Sequence, residues 1–168
     1  MPFSSSLASV PCYLGDNLTV VPYKVITGGI ASLAQLVAMA KQDCVAPDIT
    51  PESFPVVAGS KGEQELFLFL FGCLMESHVQ VFAAMEKLGK RPATIAELLP
   101  LGARFSELQK NNSVTALGSV ARIKGKDETV CLSTVGRCTQ YLQRSLSLVS
   151  FLGPWQTDFA HLAANKGE

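Results

Sequence analysis

Few side chains in this sequence could transfer a proton, and they lie far apart. Its two histidines are His78 and His161, and the acid nearest to His78 is Glu76. A histidine helped by a carboxylate can act as a general base, so His78 and Glu76 are the candidate catalytic residues if the protein is an enzyme. A separation of two residues places them on different faces of a helix, and no third group that would orient the histidine can be assigned.

The cysteines do not follow a metal-binding or disulfide pattern. Their number is odd, and no two of them are separated by the two residues that are typical of zinc ligands. We therefore predict no metal site, and we interpret Cys73 and Cys138 as small buried apolar residues. The five are Cys12, Cys44, Cys73, Cys131 and Cys138.

Basic residues are concentrated in one part of a chain whose formal net charge is zero. Residues 1–86 carry three basic and eight acidic residues, a net charge of −5, whereas residues 87–144 carry ten and four, a net charge of +6. This asymmetry fits either an anion-facing surface or complementarity between the two halves. If the chain binds DNA, the candidate contacts are Arg104, Lys110, Arg122, Lys124 and Lys126.

Length and composition predict one domain with a substantial core. The chain has 168 residues, of which 48% are apolar and 17% are charged, so it resembles neither a disordered tail nor a generally basic nucleic-acid binder. No basic segment precedes an apolar stretch at the N-terminus, so we expect a cytoplasmic protein. The most apolar run, residues 66–75, is about half the length of a membrane span, and we expect no transmembrane helix.

The first half of the chain is predicted to hold two helices. Residues 23–43 place apolar side chains at helical spacing, and prolines at 47, 51 and 55 then indicate a linker. Residues 64–88 are predicted to form one long core helix with Gly89 as its C-terminal cap. Its first turns are apolar on every side, so the rest of the domain or a second copy must cover them.

The second half is predicted to alternate short helices with a hairpin. Thr94 and Glu97 have the spacing of a capping box, in which each side chain satisfies a free amide at the start of a helix. Two short alternating segments around Lys124-Gly125-Lys126-Asp127 indicate a β-hairpin. The remaining predicted elements are a helix within 103–117, strands at 120–123 and 129–132, a helix from 133 or 134 to about 152, and a helix at 157–164.

This order of elements resembles a winged-helix domain. The sequence Thr94-Ile95-Ala96-Glu97-Leu98 is similar to the opening of its second helix, and Gly118-Ser119-Val120 is similar to the entry of its wing. Two families share the pattern: regulators of the multiple-antibiotic-resistance type, and the N-terminal dimerisation domain of small-molecule O-methyltransferases that use S-adenosylmethionine. The second resemblance continues through Pro154-Trp155-Gln156. The expected fold is mostly α (α+β), with an N-terminal arm, helix and linker at 1–61 and a winged-helix dimerisation-type domain at 62–168.

The resemblance to the methyltransferases implies a partner but no catalysis by this chain alone. The sequence stops where their catalytic domain would begin, and it has no glycine-rich turn after a strand, so we expect neither methyl transfer nor a cofactor. In those enzymes this domain pairs with its twin and lends apolar side chains to a substrate site. The resemblance therefore implies a homodimer or a separate methyltransferase chain, and the candidate pocket or interface residues are Phe67, Phe71, Leu74, His78 and Phe82.

Three functions stay open at this point. The first is a self-associating interaction module or small-molecule pocket module in a biosynthetic pathway, with an apolar ligand. The second is a winged-helix transcriptional regulator that binds DNA through the basic residues named above. The third is a cofactor-independent cyclase or isomerase in which an apolar pocket holds the ligand and His78 or Glu76 moves a proton.

Overall fold

The computed structural model describes residues 17–29, 32–57, 61–138 and 141–166, and it describes no side chains at 136–138 or 141–142. These residues form eight strands and four helices. In chain order they are β1 (Leu18–Thr27), α1 (Leu33–Ala40), β2 (Cys44–Val45), β3 (Gly62–Phe71), α2 (His78–Lys87), β4 (Lys90–Pro92), α3 (Ile95–Arg104), α4 (Leu108–Asn111), β5 (Ser113–Ile123), β6 (Lys126–Cys138), β7 (Tyr141–Ser150) and β8 (Phe159–Asn165).

One mixed sheet contains all eight strands. Its order is β1-β3-β8-β5-β6-β7-β2, and β4 pairs with β8 beside this path. Two pairings are parallel, β5 with β8 and β2 with β7, and the others are antiparallel. Because β1 pairs with β3 over ten residues, segments on both sides of the predicted boundary at residue 62 belong to the same sheet.

Helices cover both faces of the sheet and divide the core in two. On one face, α1 and α3 pack on the larger cluster, which includes Leu66 and Leu68 of β3. On the other face, α2 packs on a smaller and more aromatic cluster, which includes Phe69, Phe71 and Trp155. No helix in the described part of the chain is long and apolar enough to cross a membrane.

Strand β3 explains why the long helix predicted at 64–88 is wrong. Along β3, Leu66 and Leu68 point to the face of α1 and α3, whereas Phe67, Phe69 and Phe71 point to the face of α2. This alternation is the period of two that an extended strand imposes. Because both faces are covered, the strand is a continuous apolar run, which in the sequence is indistinguishable from a fully buried helix.

The predicted winged-helix fold is also wrong, because several segments that were predicted as helices are strands of the sheet. Within 103–117, where a helix was predicted, the structure has the short helix α4 and then the start of β5. The helix predicted after Ser133 is replaced by β6 and β7, and the one predicted at 157–164 is largely β8. Part of the helix predicted at 23–43 is likewise strand β1. A sheet-centred fold removes the basis of the resemblance to both winged-helix families, the methyltransferase dimerisation domain included.

Three local predictions are confirmed. Strands β5 and β6 form a hairpin whose two turn residues, Lys124 and Gly125, have positive φ angles of 50° and 80°, as hairpin turns of the primed types require. Gly89 ends α2 with a φ of 68°, and its N–H donates to the Glu86 carbonyl at 3.0 Å. The capping box of Thr94 and Glu97 opens α3.

Candidate functional site

An uncharged pocket lies where three segments meet: residues 53–57, residues 94–96 at the start of α3, and residues 118–120 of β5. We call it the bulge pocket. Its volume is about 280 Å³. Most of its lining is apolar, and the residues with polar side chains in the lining are Ser53, Thr94 and Ser119.

The β5 wall of the pocket is a β-bulge. The pairing of β5 with β6 shifts register between Ala116 and Val120. The buried Thr129 hydroxyl on β6 lies 2.9 Å from the Ala116 carbonyl oxygen and 2.8 Å from that of Ser119, and it shares its single proton between them. These contacts hold the displaced segment in one conformation and aim Ser119 at the helix.

Gly118 allows this bulge to lie against the chain that enters α3. Its N–H donates to the Ala93 carbonyl at 2.8 Å. A Cβ atom at position 118 would stand 2.6 Å from the Ala93 oxygen and 2.8 Å from the Pro92 oxygen, both of which are backbone atoms. Only a residue without a side chain fits this approach.

Hydrogen bonds to Ser119 of the β5 bulge and to Glu97 of the helix itself hold the first turn of α3. The Ile95 N–H donates to the Ser119 hydroxyl at 2.8 Å, and the Thr94 N–H donates to Glu97 Oε1 at 2.9 Å. These bonds satisfy amides that a helix N-terminus otherwise leaves free. Because Ser119 Oγ accepts this hydrogen bond through a lone pair, its own O–H remains a donor for a group inside the pocket.

An ion pair with the partly exposed Arg91 holds the buried Glu97 carboxylate behind the pocket. Its side chain is only 8% exposed and accepts a two-pronged bond from Arg91, with Nη1–Oε1 at 2.9 Å and Nη2–Oε2 at 2.8 Å. The Gln64 amide donates to the same carboxylate. Burial alone would raise the pKa of Glu97, but the hydrogen bonds from Arg91, Thr94 and Gln64 outweigh it and leave the pKa below its ordinary value of 4.5.

The sequence indicated only part of this arrangement. The spacing of Thr94 and Glu97 revealed the capping box, and Gly118 and Ser119 were noticed only as the entry to a wing that does not exist. Arg91 was not identified, because its side chain reaches Glu97 from β4 and no periodic spacing links the two. The proline-punctuated segment was predicted as a linker, whereas residues 53–57 form a pocket wall.

The structure places His78 among aromatic rings. Its ring centroid lies 4.3 Å from that of Phe151 and 5.5 Å from that of Phe82, and its Nδ1 has no hydrogen-bond partner among the described residues. Glu76 is exposed, and its N–H donates to Gln80 Oε1 at 2.7 Å. The catalytic roles of His78 and Glu76 stay a hypothesis.

The predicted interface residues lie on the α2 side of the sheet with different exposures. Phe71 is buried in the core, and Phe67 and Phe82 are half-buried against it. Leu74 is exposed, at 45%. The Lys90 ammonium lies 3.8 Å from the centre of the Phe67 ring, a cation–π contact. Association with a second copy stays a prediction.

Of the predicted DNA contacts, Arg104 and Lys110 were expected near the groove and Arg122, Lys124 and Lys126 on a wing. In the structure, Arg104 ends α3 and Lys110 lies in α4, and the other three are at the tip of the β5–β6 hairpin. Carboxylates lie beside most of them: Glu107 is 3.0 Å from Lys110, Asp127 is 3.0 Å from Arg122, and Asp48 is 4.0 Å from Lys124. The winged-helix geometry that made Arg122, Lys124 and Lys126 wing residues is absent from the described chain.

His161 is a buried histidine whose environment the sequence did not predict. It lies in β8 with 1% exposure, and its Nδ1 is 2.7 Å from the Thr115 hydroxyl. The Phe71 and Trp155 rings pack on it, with centroids at 5.9 and 5.1 Å. Burial lowers the pKa of His161 to about 3, so the imidazole is neutral in the folded protein.

The described cysteines differ from one another in environment. Cys73 is disulfide-bonded, which contradicts its interpretation as a free buried thiol. Cys131 is a buried free thiol, and burial raises its pKa to about 12, whereas Cys44 is free and exposed. Within the residues that the structure describes, no group of three or more His, Cys, Asp or Glu side chains could hold a metal ion. The side chain of Cys138 lies outside the described residues.

Comparisons with protein-family models, with curated proteins and with solved structures find no match to this chain. The function proposed for this chain therefore rests on the volume and the lining of the bulge pocket.

Proposed function

We propose that this chain is a binding module for a neutral, mainly apolar small molecule, which occupies the bulge pocket. The observation that carries the proposal is an uncharged cleft between a helix N-terminus and a β-bulge. Small-molecule pockets commonly have volumes of roughly 300–1,000 Å³ and mostly apolar walls with a few polar atoms. At about 280 Å³, this pocket lies just below that range and suits a small ligand.

The contacts that hold two of the three pocket walls, the start of α3 and the bulge of β5, support this proposal. Thr129 holds the bulge, Gly118 lies against the backbone at Ala93, and the pair of Arg91 and Glu97 holds the start of α3. A site held by packed elements loses little conformational entropy when a ligand enters, so more of the contact free energy remains as affinity.

The chemistry of the lining indicates the class of ligand. None of the described side chains that line the pocket is charged, so a charged ligand would lose its hydration without gaining an ion pair. The free O–H of Ser119 can donate one hydrogen bond, which orients a ligand with a carbonyl or ether oxygen. A cyclic ketone has this combination of an apolar body and one acceptor.

The test uses cyclohexanone as the neutral probe and cyclohexanecarboxylate as its charged counterpart. Backbone amide chemical shifts of the full chain are followed during each titration. Cyclohexanone is expected to shift the amides of residues 94–96 and 118–120 in a saturable way, and the carboxylate is expected to bind at these same amides at least about tenfold more weakly, a difference of about 1.4 kcal/mol. Equal binding of the two probes at these amides, or cyclohexanone shifts confined to other segments, would overturn the proposal.

A matched pair of variants locates the probe. Ala96→Phe fills the bulge pocket from α3, whereas Ala103→Phe adds the same side chain at the other end of the same helix. Ala96→Phe is expected to abolish the cyclohexanone shifts, and Ala103→Phe is expected to retain them. Thermal unfolding of both variants checks that they are folded, and retained binding in a folded Ala96→Phe protein would contradict the assignment.

A further inference from the structure

Arg104 stands between two adjoining cavities at the C-terminal end of α3. One has an apolar lining of Ile26, Met39, Pro100 and Ala103 beside Arg104, and its volume is about 320 Å³. The other also has a volume of about 320 Å³, and its lining beside Arg104 mixes the apolar side chains of Phe105 and Leu108 with the polar side chains of Ser106, Glu107, Asn111 and Asn112. We call the two cavities together the Arg104 groove.

The charge of Arg104 has no carboxylate partner among the described residues. Its side chain is exposed, and its guanidinium carbon lies 5.4 Å from the centre of the Phe105 ring, a cation–π contact. Among the described residues that line the groove, the one acidic side chain is that of Glu107, and it is paired with Lys110 at 3.0 Å. Within this described lining, the Arg104 guanidinium is therefore a positive charge without a carboxylate partner, and it lies beside an apolar cavity.

We propose that the Arg104 groove binds an amphipathic carboxylate, with its head at Arg104 and its aliphatic tail in the cavity formed by Ile26, Met39, Pro100 and Ala103. A guanidinium pairs with a carboxylate through two parallel hydrogen bonds. The side-chain amides of Asn111 and Asn112 supply further donors beside the head. The apolar cavity removes the tail from water, which stabilises the complex in proportion to the area buried.

This site is separate from the bulge pocket. The two lie at opposite ends of α3, whose ten residues span about 15 Å. Their linings also differ in chemistry, since the bulge pocket has no charged side chain among its described residues and the Arg104 groove has an arginine. One site can therefore fail its test while the other passes.

The experiment compares three probes on the full chain by amide chemical-shift titration: octanoate, octanol and acetate. Octanoate has both the charged head and the tail, octanol lacks the charged head, and acetate lacks the tail. Octanoate is expected to shift amides at 100–112 and to bind at least about tenfold more tightly than either. Equal binding of octanol would show that Arg104 contributes nothing, and equal binding of acetate would show that the apolar cavity contributes nothing, so either result overturns the proposal.

Matched variants test the role of each part. Arg104→Gln is expected to weaken octanoate binding at least about tenfold, whereas Lys126→Gln makes the same change of charge at the exposed tip of the β5–β6 hairpin and is expected to leave it within about twofold. Ala103→Phe fills the tail cavity and is expected to weaken octanoate binding, while Ala96→Phe is expected to leave octanoate binding unchanged. Equal losses in Arg104→Gln and Lys126→Gln would indicate general charge attraction and would overturn the site.

Discussion

His161 is a histidine that the folded protein keeps neutral in its interior. Its partner is the Thr115 hydroxyl, and the surrounding side chains are apolar or aromatic. Burial lowers the pKa to about 3, compared with an ordinary value of 6.5. Between these two pH values the unfolded chain binds a proton that the folded protein excludes. The contribution of His161 to stability is therefore complete above about pH 6.5 and is lost progressively as the pH falls towards 3.

Because the folded protein excludes a proton from His161, we expect the free energy of unfolding to fall as the pH is lowered below about 6.5. The wild type is expected to lose roughly 2 kcal/mol between about pH 6.5 and about pH 5, because one proton corresponds to about 1.4 kcal/mol per pH unit. Urea unfolding at several pH values measures this slope.

A pair of variants tests which group causes the slope. The double variant Thr115→Val, His161→Leu replaces both polar partners by apolar groups, so it is expected to remove most of the slope while remaining folded. Thr115→Val alone keeps the imidazole buried and is expected to retain the slope. The same slope in the double variant would show that His161 is not the titrating group.

At the scale of elements, the start of α3 and the bulge of β5 depend on each other. Ser119 of the bulge accepts the Ile95 N–H, and the Gly118 N–H donates to the Ala93 carbonyl just before the helix. A change in either element therefore moves a wall of the bulge pocket.

Gly118→Ala is expected to destabilise this junction. The added methyl group would overlap the backbone oxygens of Pro92 and Ala93, which cannot move without displacing α3, so we expect a loss of about 1–3 kcal/mol in the free energy of unfolding. Gly62→Ala is the matched control, because its Cβ would meet nothing within 4 Å and its effect should stay within about 0.5 kcal/mol. Urea unfolding of the two variants measures the difference, and equal stabilities would contradict the close approach.

The ion pair behind α3 gives a second prediction at this scale. Arg91→Met leaves the Glu97 carboxylate buried without its cation, and we expect a loss of roughly 2–4 kcal/mol, at the lower end because Arg91 is 40% exposed. The lowered pKa of Glu97 means that its stabilisation is present above about pH 4.5 and is lost at lower pH. Near neutral pH, Arg91→Met should therefore lower the free energy of unfolding more than Glu97→Gln does. Arg91→Met leaves a buried negative charge without its cation, whereas Glu97→Gln removes that charge. The opposite order in urea unfolding would refute this account.

At the scale of the whole molecule, Arg144 of β7 joins the sheet to three helices. Its Nη2 donates to the Gly102 carbonyl of α3 at 2.9 Å, its Nη1 to the Lys41 carbonyl that ends α1 at 3.3 Å, and its Nε to Gln109 of α4 at 3.2 Å. Gln109 is itself buried and donates to the Ser133 carbonyl of β6 at 2.7 Å. One guanidinium thus satisfies acceptors from elements that are distant in the sequence.

Loss of this guanidinium should affect the global stability of the protein. Arg144→Met leaves several acceptors without a donor, and we expect it to lower the free energy of unfolding by roughly 2–4 kcal/mol. Arg144→Lys should recover little of this lost stability, because one ammonium group cannot reproduce the planar arrangement of guanidinium N–H donors. Arg122→Met removes an exposed ion pair and is expected to cost less than about 1 kcal/mol. Similar losses for Arg122→Met and Arg144→Met in urea unfolding would contradict the role of Arg144.

Short-range signals in the sequence were sufficient for the local features of this protein. The capping box of Thr94 and Glu97, the hairpin turn at Lys124 and Gly125, and the glycine cap at Gly89 each depend on residues within a few positions of one another. Backbone sterics and neighbouring hydrogen bonds decide such features before the chain packs. The part of the pocket that could be predicted, the start of α3, is of this kind.

Tertiary structure decided the fold and the rest of both proposed sites. The apolar runs of β3 and β8 are buried on both faces, so their sequences have no clear polar side, and only pairing with neighbouring strands makes them extended. Arg91 and Ser119 reach α3 from strands, and Ile26 and Met39 meet Arg104 only after β1, α1 and α3 pack together. Such contacts join residues that are distant in the sequence, and a single sequence encodes them only through the complete packed structure.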